Sequence, residues 1–187
     1  LRQDDSDAIA LLGKAQVLQQ QGKLAEALNA IVSYREKFPY NPYGQLIHAA
    51  LIGLQGDNKE QNRMLRQVQM QLNNLPENAK EQEDVLLLAA TMDFSQEKFE
   101  QAILKLRRAL KLYPANYQVH QLLAQSYLQL GDAKTAGGFS RQALELNPAD
   151  FQLYLLGAAV ARAQRDPATE LKLLQQAFSA FPQQPEI

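Results

Sequence analysis

The chain has 187 residues, of which 46% are hydrophobic and 21% are charged, so it can bury a core and is not expected to be disordered. Its net charge is −1 with both signs intermixed, which argues against nucleic acid or an anionic membrane as a partner. The absence of cysteine excludes disulfides and thiolate metal sites, and the longest apolar run, 85–90, is too short to cross a bilayer.

One pattern of residues occurs twice in this chain, 34 residues apart. Its two copies are Leu86, Ala89, Ala90, Ala102, Leu106, Ala109, Leu110, Pro114 and His120, Leu123, Ala124, Ala136, Ser140, Ala143, Leu144, Pro148. A fixed period of this length indicates a repeat architecture in which each repeat buries its apolar face against its neighbours. Extending the register predicts five repeats, at 8–41, 42–75, 83–116, 117–150 and 151–184, with an insertion at 76–82. We expect 1–187 to form a single domain within a longer chain.

Each repeat is predicted to contain two helices joined by a short turn. In chain order, the turns are marked by Gly56-Asp57 in the second repeat, Gly131-Asp132 in the fourth and Asp166-Pro167 in the fifth. Glycine permits a left-handed helix end, aspartate caps the next helix, and proline suits a first helical turn. Apolar spacing typical of amphipathic helices is clearest over 117–130 and 135–146. The recurring alanines allow close helix contacts, and Leu106 and Tyr127 are predicted to fill the core.

Three features depart from the repeat pattern. The interruption at 73–82 is predicted to be a tolerated insertion or, alternatively, a local change of superhelical twist or a binding loop. Asp93 stands where the next repeat has Tyr127, and we expect it to turn toward solvent or to cap a backbone group, because an unpaired buried carboxylate is costly. Gly137 and Gly138 lie inside a predicted helix, where either close packing or a bend would explain them, and we favour close packing.

The pattern of small residues, turn signals and prolines resembles the tetratricopeptide repeat, a family of 34-residue helix–turn–helix repeats. The resemblance covers nearly the whole chain and is weakest in the second repeat. It implies an all-α, right-handed superhelical solenoid of about five repeats, with the first helix of each repeat lining an inner groove. It also implies a non-catalytic scaffold for proteins or peptides. The segments 22–39, 96–114 and 122–130 further resemble repeats of large bacterial lipoproteins of exopolysaccharide export and exosortase systems, which implies the periplasm or outer membrane, with the cytoplasm as the alternative.

The inventory of catalytic residues is thin. His48 and His120, the two histidines, fall in different repeats, so a shared metal site is not expected. The sequence contains no HExxH motif, no glycine-rich phosphate loop and no GxSxG elbow. We therefore predict that the protein is not an enzyme and has no cofactor and no metal site.

The helical register places one face of each first helix in the groove that the resemblance implies. The predicted partner-binding residues are Leu12, Gln16, Gln19, Tyr43, Leu46, Leu54, Asp84, Leu87, Thr91, Phe94, Gln118, Gln121, Gln125, Gln152, Leu155 and Arg162. This set lacks the basic cluster of carboxylate-clamping repeats and the asparagine ladder of sugar-transferring ones. It favours an extended or helical segment with apolar side chains, whose polar groups would be met by glutamines.

The sequence thus predicts a protein–protein interaction scaffold within a multi-component assembly, such as a bacterial secretion or exopolysaccharide-export machine. One alternative is a substrate-docking arm of a larger enzyme. Another is a self-associating module, in which end repeats stack on copies of themselves to form a homo-oligomer.

Overall fold

The computed structural model describes residues 10–15, 17–19, 21–39 and 41–182, and these residues form helices and turns without any strand. The first helix, α1, includes residues 10–15 and 17–19. The helices that follow are α2 (Leu24–Lys37), α3 (Pro42–Leu54), α4 (Asn58–Asn73), α5 (Glu77–Lys80), α6 (Glu83–Ser95), α7 (Phe99–Leu112), α8 (Tyr117–Gln129), α9 (Ala133–Leu146), α10 (Phe151–Ala163) and α11 (Pro167–Ala180).

The chain divides into two compact units, an N-terminal unit, Leu1–Pro76, and a C-terminal unit, Glu77–Ile187. The N-terminal unit contains the helix pairs α1–α2 and α3–α4, and the C-terminal unit contains α6–α7, α8–α9 and α10–α11. Each pair lies within one of the five predicted repeats. The division falls at the predicted insertion, where a single helical turn, α5, forms. That the whole chain acts as one domain stays a prediction.

Side-chain caps fix where most of these helices begin. The residue before the first helix of a repeat accepts hydrogen bonds from backbone N–H groups of the first turn at Asn41, Asn116 and Asp150. The residue before the second helix does the same at Asp57, Asp132 and Asp166. These bonds satisfy N–H groups that have no partner inside a helix. The turn signals read from the sequence therefore act as helix caps.

The turn inside every repeat contains one residue with a left-handed backbone at the same position of the 34-residue register. The φ angles are 71° at Gly22, 88° at Gly56, 60° at Glu97, 80° at Gly131 and 61° at Arg165. Glycine adopts this conformation without steric cost, whereas other residues are strained by their Cβ atom. The third and fifth repeats thus keep the turn geometry at a cost that the other three avoid.

Small side chains let the helices of the C-terminal unit approach closely, as the sequence predicts. The six alanines of the third and fourth repeats that the sequence places at helix contacts are fully buried, namely Ala90, Ala102, Ala109, Ala124, Ala136 and Ala143. Leu106 is fully buried among them. Tyr127 is only half-buried, with its ring stacked on Phe139 at 5.7 Å and its hydroxyl accepting a hydrogen bond of 2.6 Å from Arg107. Its ring therefore packs at the margin of the core while its polar end reaches the surface.

The expectation for Asp93 is wrong. Its side chain is 5% exposed and forms an ion pair with the ammonium group of Lys105, which is 38% exposed. The lysine comes from the second helix of the same repeat and supplies the charge that makes burial of the carboxylate tolerable. The register assigned Asp93 to an interface position, but it predicted neither that the carboxylate stays there nor that Lys105 is its partner.

The two glycines of α9 have different surroundings. A Cβ atom on Gly137 would lie 2.5 Å from the side-chain nitrogen of Gln164, which donates a 2.7 Å hydrogen bond to the carbonyl of Ala133. Gly138 is exposed and faces open space. Close packing therefore explains the first glycine but not the second, and nothing in the structure explains Gly138.

Candidate functional site

The first helices of the C-terminal unit lie side by side. Helix α6 contacts α8, and α8 contacts α10, whereas the second helices α7 and α9 make no contact of comparable extent. Helices that touch their counterparts in the next repeat lie on the inner side of a curved stack. We call the solvent-facing side of α6, α8 and α10 the first-helix surface.

A row of glutamines occupies the middle of the first-helix surface. Gln118, Gln121 and Gln125 follow one another at helical spacing on α8, so their side chains share one face. Gln121, Gln125 and Gln152 are half-buried, and Gln118 is exposed. None of these four amide groups has a hydrogen bond to another residue in the described part of the chain. The row therefore offers free donors and acceptors.

Helix α6 contributes less to this surface than the sequence predicts. Leu87 is 7% exposed and belongs to the core, and the ring of Phe94 packs against Phe99 at 5.4 Å beside the same core. The hydroxyl of Thr91 donates a 2.8 Å hydrogen bond to the carbonyl of Leu87. Asp84 is exposed. The apolar anchors expected at this end are thus largely used inside the unit.

Helix α10 forms the other end of the first-helix surface. Leu155 is half-buried, and Arg162 is exposed. A nitrogen of the Arg162 guanidinium lies 2.6 Å from a carboxylate oxygen of Glu170, in the first turn of α11. The positive charge at this end is therefore partly neutralised within the molecule.

The predicted residues of the N-terminal unit have mixed surroundings. Leu12 and Tyr43 are half-buried, Gln19 and Leu54 are exposed, and Leu46 is buried at 4% exposure. Leu12 packs against the core of this unit, and Gln16 lies outside the described residues. Leu46 and Leu87 are consequently core side chains and not part of an accessible surface.

Both histidines have partners inside their own units. Nδ1 of His48 lies 2.7 Å from a guanidinium nitrogen of Arg35 and accepts its hydrogen bond. Burial first, and then the positive charge of Arg35, lower the pKa of His48 below its usual value. Nε2 of His120 lies 2.9 Å from the carbonyl oxygen of Pro114 and donates to it. Within 10–15, 17–19, 21–39 and 41–182, no group of three or more histidine or carboxylate side chains could hold a metal ion.

The repeat pattern did not predict one pocket of the structure. It is an open cavity of about 480 Å³ where α7 leads into α8, and it is lined by Glu83, Tyr113, Pro114, Ala115, Asn116, Tyr117 and Gln118. We call it the junction pocket. The two tyrosines four residues apart around a proline were a visible signal, but the repeat pattern assigned these residues only to a connection.

The arrangement of five helix–turn–helix pairs, with first helices aligned beside one another in the C-terminal unit, defines an all-α helical-repeat protein. Residues 93–160, which include most of the third and fourth repeats, match a family model described as tetratricopeptide repeat. The resemblance and the all-α solenoid class expected from the sequence are thereby confirmed. In the described part of the chain, no helix combines the length and apolar character needed to cross a membrane.

Solved structures share this fold over nearly the whole chain. TTC0263, a thermophilic tetratricopeptide repeat protein of Thermus thermophilus, is 16% identical with a TM-score of 0.68, covering 94% of this chain and 92% of its own. MamA of Desulfovibrio magneticus RS-1 is 13% identical with a TM-score of 0.55, and the match covers 96% of this chain and 98% of MamA. PilF of Pseudomonas aeruginosa is 17% identical with a TM-score of 0.55, and the match covers 95% of this chain and 78% of PilF. A search of curated protein sequences finds no match. At these identities the likeness establishes the fold alone.

Proposed function

We propose that the protein is a non-catalytic scaffold whose first-helix surface binds a peptide or protein segment. The tetratricopeptide fold in general supports protein–protein interaction, and proteins with this fold are typically not enzymes. The observation that carries the proposal is the glutamine row of α8 and α10, where half-buried amides have no partner within the described residues. Half-buried polar groups without partners are favourable places for a ligand to add hydrogen bonds.

The chemistry of the row indicates what kind of segment fits. A primary amide donates and accepts at once, as a peptide backbone does, so it can pair with an extended strand of either direction. Leu155 adds apolar area beside Gln152. We infer an extended segment that has apolar side chains and is recognised partly through its backbone.

The setting that we propose is a bacterial secretion or exopolysaccharide-export assembly. This part of the proposal is supported by the sequence resemblance of 22–39, 96–114 and 122–130 to export-associated lipoprotein repeats. The fold shared with PilF and MamA is compatible with this setting but gives it no further support.

A peptide selection followed by titration tests the binding surface. Peptides displayed on phage are selected against the immobilised chain, and a recovered peptide is titrated calorimetrically against variants. Gln121→Ala with Gln125→Ala should weaken binding by about tenfold or more, since each lost hydrogen bond is worth about 0.5–1.5 kcal/mol. The matched control replaces Gln101 and Gln142, exposed glutamines of the second helices α7 and α9, and should stay within about twofold. Equal effects of the two double variants would contradict the proposal.

Self-association is a second candidate because of one surface. Helix α11 exposes Leu171 and Phe178, seven residues apart on one face, to 58% and 42%. The residues of α7 at the same two positions of the repeat are Ile103 and Leu110, and both pack in the core that α7 shares with α8. Sedimentation velocity over a concentration series tests this candidate. Strictly monomeric protein at high concentration would exclude it.

A further inference from the structure

The junction pocket has walls that are fixed by hydrogen bonds. The hydroxyl of Tyr113 donates to the backbone carbonyl of Glu81 at 3.3 Å, and the side-chain amide of Asn116 donates to Glu83 at 2.8 Å. Tyr113, Tyr117 and Glu83 are each half-buried. The pocket therefore holds the Tyr113 ring and the Glu83 carboxylate in place before a ligand arrives, and the Tyr117 ring also lines it.

The charge of the pocket is negative. Glu83 is the single charged residue in its lining. Two cations of this region are already paired, because Arg108 binds Glu81 and Lys80 binds Glu77. Lys111, near the end of α7, is exposed and is not among the residues that line the pocket. Among the described residues, Glu83 has a hydrogen bond from an uncharged amide but no ion pair with a lysine or arginine.

The start of α8 does not reverse this preference. A helix N-terminus attracts anions through its free N–H groups. Here the side-chain oxygen of Asn116 accepts from the backbone N–H groups of Gln118 and Val119, at 2.8 and 3.3 Å. Because these donors are already used, the full charge of Glu83 dominates the pocket.

We propose that the junction pocket binds a basic side chain, lysine or arginine, of the segment that lies on the first-helix surface. An ammonium or guanidinium group gains from aromatic faces and from a carboxylate at once, whereas a neutral side chain gains only contact area. Gln118 lines the pocket and is also part of the glutamine row, so a bound segment can reach both. The assignment to a partner segment rests on the proposed function, but the preference of the pocket for a cation does not.

The next junction of the chain provides a control within the same molecule. Thirty-four residues on, Asn147 replaces Tyr113, Phe151 replaces Tyr117, and Tyr117 itself stands at the position of Glu83. The one carboxylate there, Asp150, accepts the backbone N–H of Gln152 at 2.9 Å as a helix cap. We expect this second junction to lack the preference for a cation.

A titration with single-residue probes tests the proposal without a known partner. N-acetyl-lysine N-methylamide and N-acetyl-arginine N-methylamide are added to isotope-labelled full chain, and the backbone amide signals are followed by NMR. Signals of residues 113–118 should shift saturably, and signals of 147–152 should not. The norleucine analogue, with a similar shape and no charge, should bind at least about threefold more weakly. Equal binding of norleucine, tighter binding of N-acetyl-glutamate N-methylamide, or equal shifts at both junctions would overturn the proposal.

Two substitutions separate the pocket from the first-helix surface. Glu83→Gln keeps the acceptor for Asn116 and removes the charge, and it should weaken lysine binding about three- to fivefold. Tyr117→Leu keeps apolar packing and removes a ring, with a similar expected loss. Gln121→Ala with Gln125→Ala should leave lysine binding unchanged. If the glutamine changes abolish peptide binding while Glu83→Gln leaves binding of the lysine probe unchanged, the pocket assignment fails and the scaffold function stands. If the glutamine changes leave peptide binding unchanged while Glu83→Gln weakens binding of the lysine probe, the scaffold proposal alone is contradicted.

Discussion

The buried ion pair of the third repeat gives the sharpest test of how these repeats pack. Asp93, 5% exposed, is neutralised by Lys105 on α7. The same two register positions in the fourth repeat hold Tyr127 and Phe139, whose rings stack with an interplanar angle of 6°. An ion pair thus stands where the next repeat has an apolar pair. Lys105→Met removes the counter-charge and leaves the carboxylate buried.

The expected cost follows from the exposure of the two partners. Removing one partner of a fully buried pair costs about 3–5 kcal/mol. Because Lys105 is 38% exposed, water reaches the pair, and we expect a smaller loss for Lys105→Met, about 1.5–3 kcal/mol. The double variant, with Asp93→Leu added, replaces the pair by apolar side chains and should lie within about 1 kcal/mol of the wild type or above it.

Urea denaturation followed by far-UV circular dichroism measures these free energies of unfolding as a double-mutant cycle. Lys111→Met, an exposed lysine of the same helix, is the matched control and should change stability by less than about 0.5 kcal/mol. The reasoning is refuted if Lys105→Met behaves like this control. It is also refuted if the double variant is less stable than Lys105→Met alone.

Three further predictions concern turns, packing and pH. Glu97→Gly should raise the free energy of unfolding by about 0.5–1 kcal/mol because it relieves a left-handed φ of 60°, and Gly131→Ala should lower it by about 1 kcal/mol, both by urea denaturation. Gly44→Ala should lower the free energy of unfolding by about 1–3 kcal/mol, because the added Cβ overlaps the ring of Tyr34, which is 1% exposed. If this overlap is the cause, Gly44→Ala should cost less when it is introduced into the Tyr34→Leu variant and compared with that variant. Folding lowers the pKa of His48, so the unfolded chain takes up the proton at a higher pH than the folded chain does. The free energy of unfolding should therefore fall as the pH drops through 6.5. Denaturation curves measured at several pH values test this, and His48→Gln should make the pH dependence weaker.

The 34-residue period was sufficient to predict the helix pairs, since it combines apolar spacing with turn residues that have a specific backbone role. The aspartates that precede second helices illustrate this, because their carboxylates cap the helices that the sequence predicts. Glu97 and Arg165 gave no such local signal, as neither residue type favours a positive φ. Only their alignment with Gly22, Gly56 and Gly131 could have indicated the left-handed turn.

The partner of Asp93 could not be deduced from its own helix. Lys105 lies on the other helix of the repeat, and twelve residues separate the two in sequence. Comparing repeats would have supplied the signal, because aligned positions of neighbouring repeats hold Tyr127 and Phe139, a pair in contact. A charged residue at one position of such a pair predicts its counter-charge at the other.

The limits of the first-helix surface were harder to predict than its existence. Helical spacing identifies which residues share a face, but it does not determine how far the neighbouring helix covers that face. For this reason Gln121 and Gln125 remain accessible, whereas Leu87, at an equivalent position of α6, is buried. The junction pocket is formed by residues of a connection together with Glu83 from a preceding helix, a combination that periodicity does not report.

The glutamine row and the junction pocket depend on different physics, and this difference gives the proposed surface its selectivity. Neutral amides bind through short-range hydrogen bonds, which change little with salt, and any extended backbone satisfies them. The charge of Glu83 acts over a longer range but is screened as ionic strength rises. Binding by the glutamine row alone would have low sequence specificity, because backbone contacts are common to all peptides. A basic residue that reaches Glu83 fixes the register of the segment along α8, so the pocket would turn general backbone binding into sequence selection.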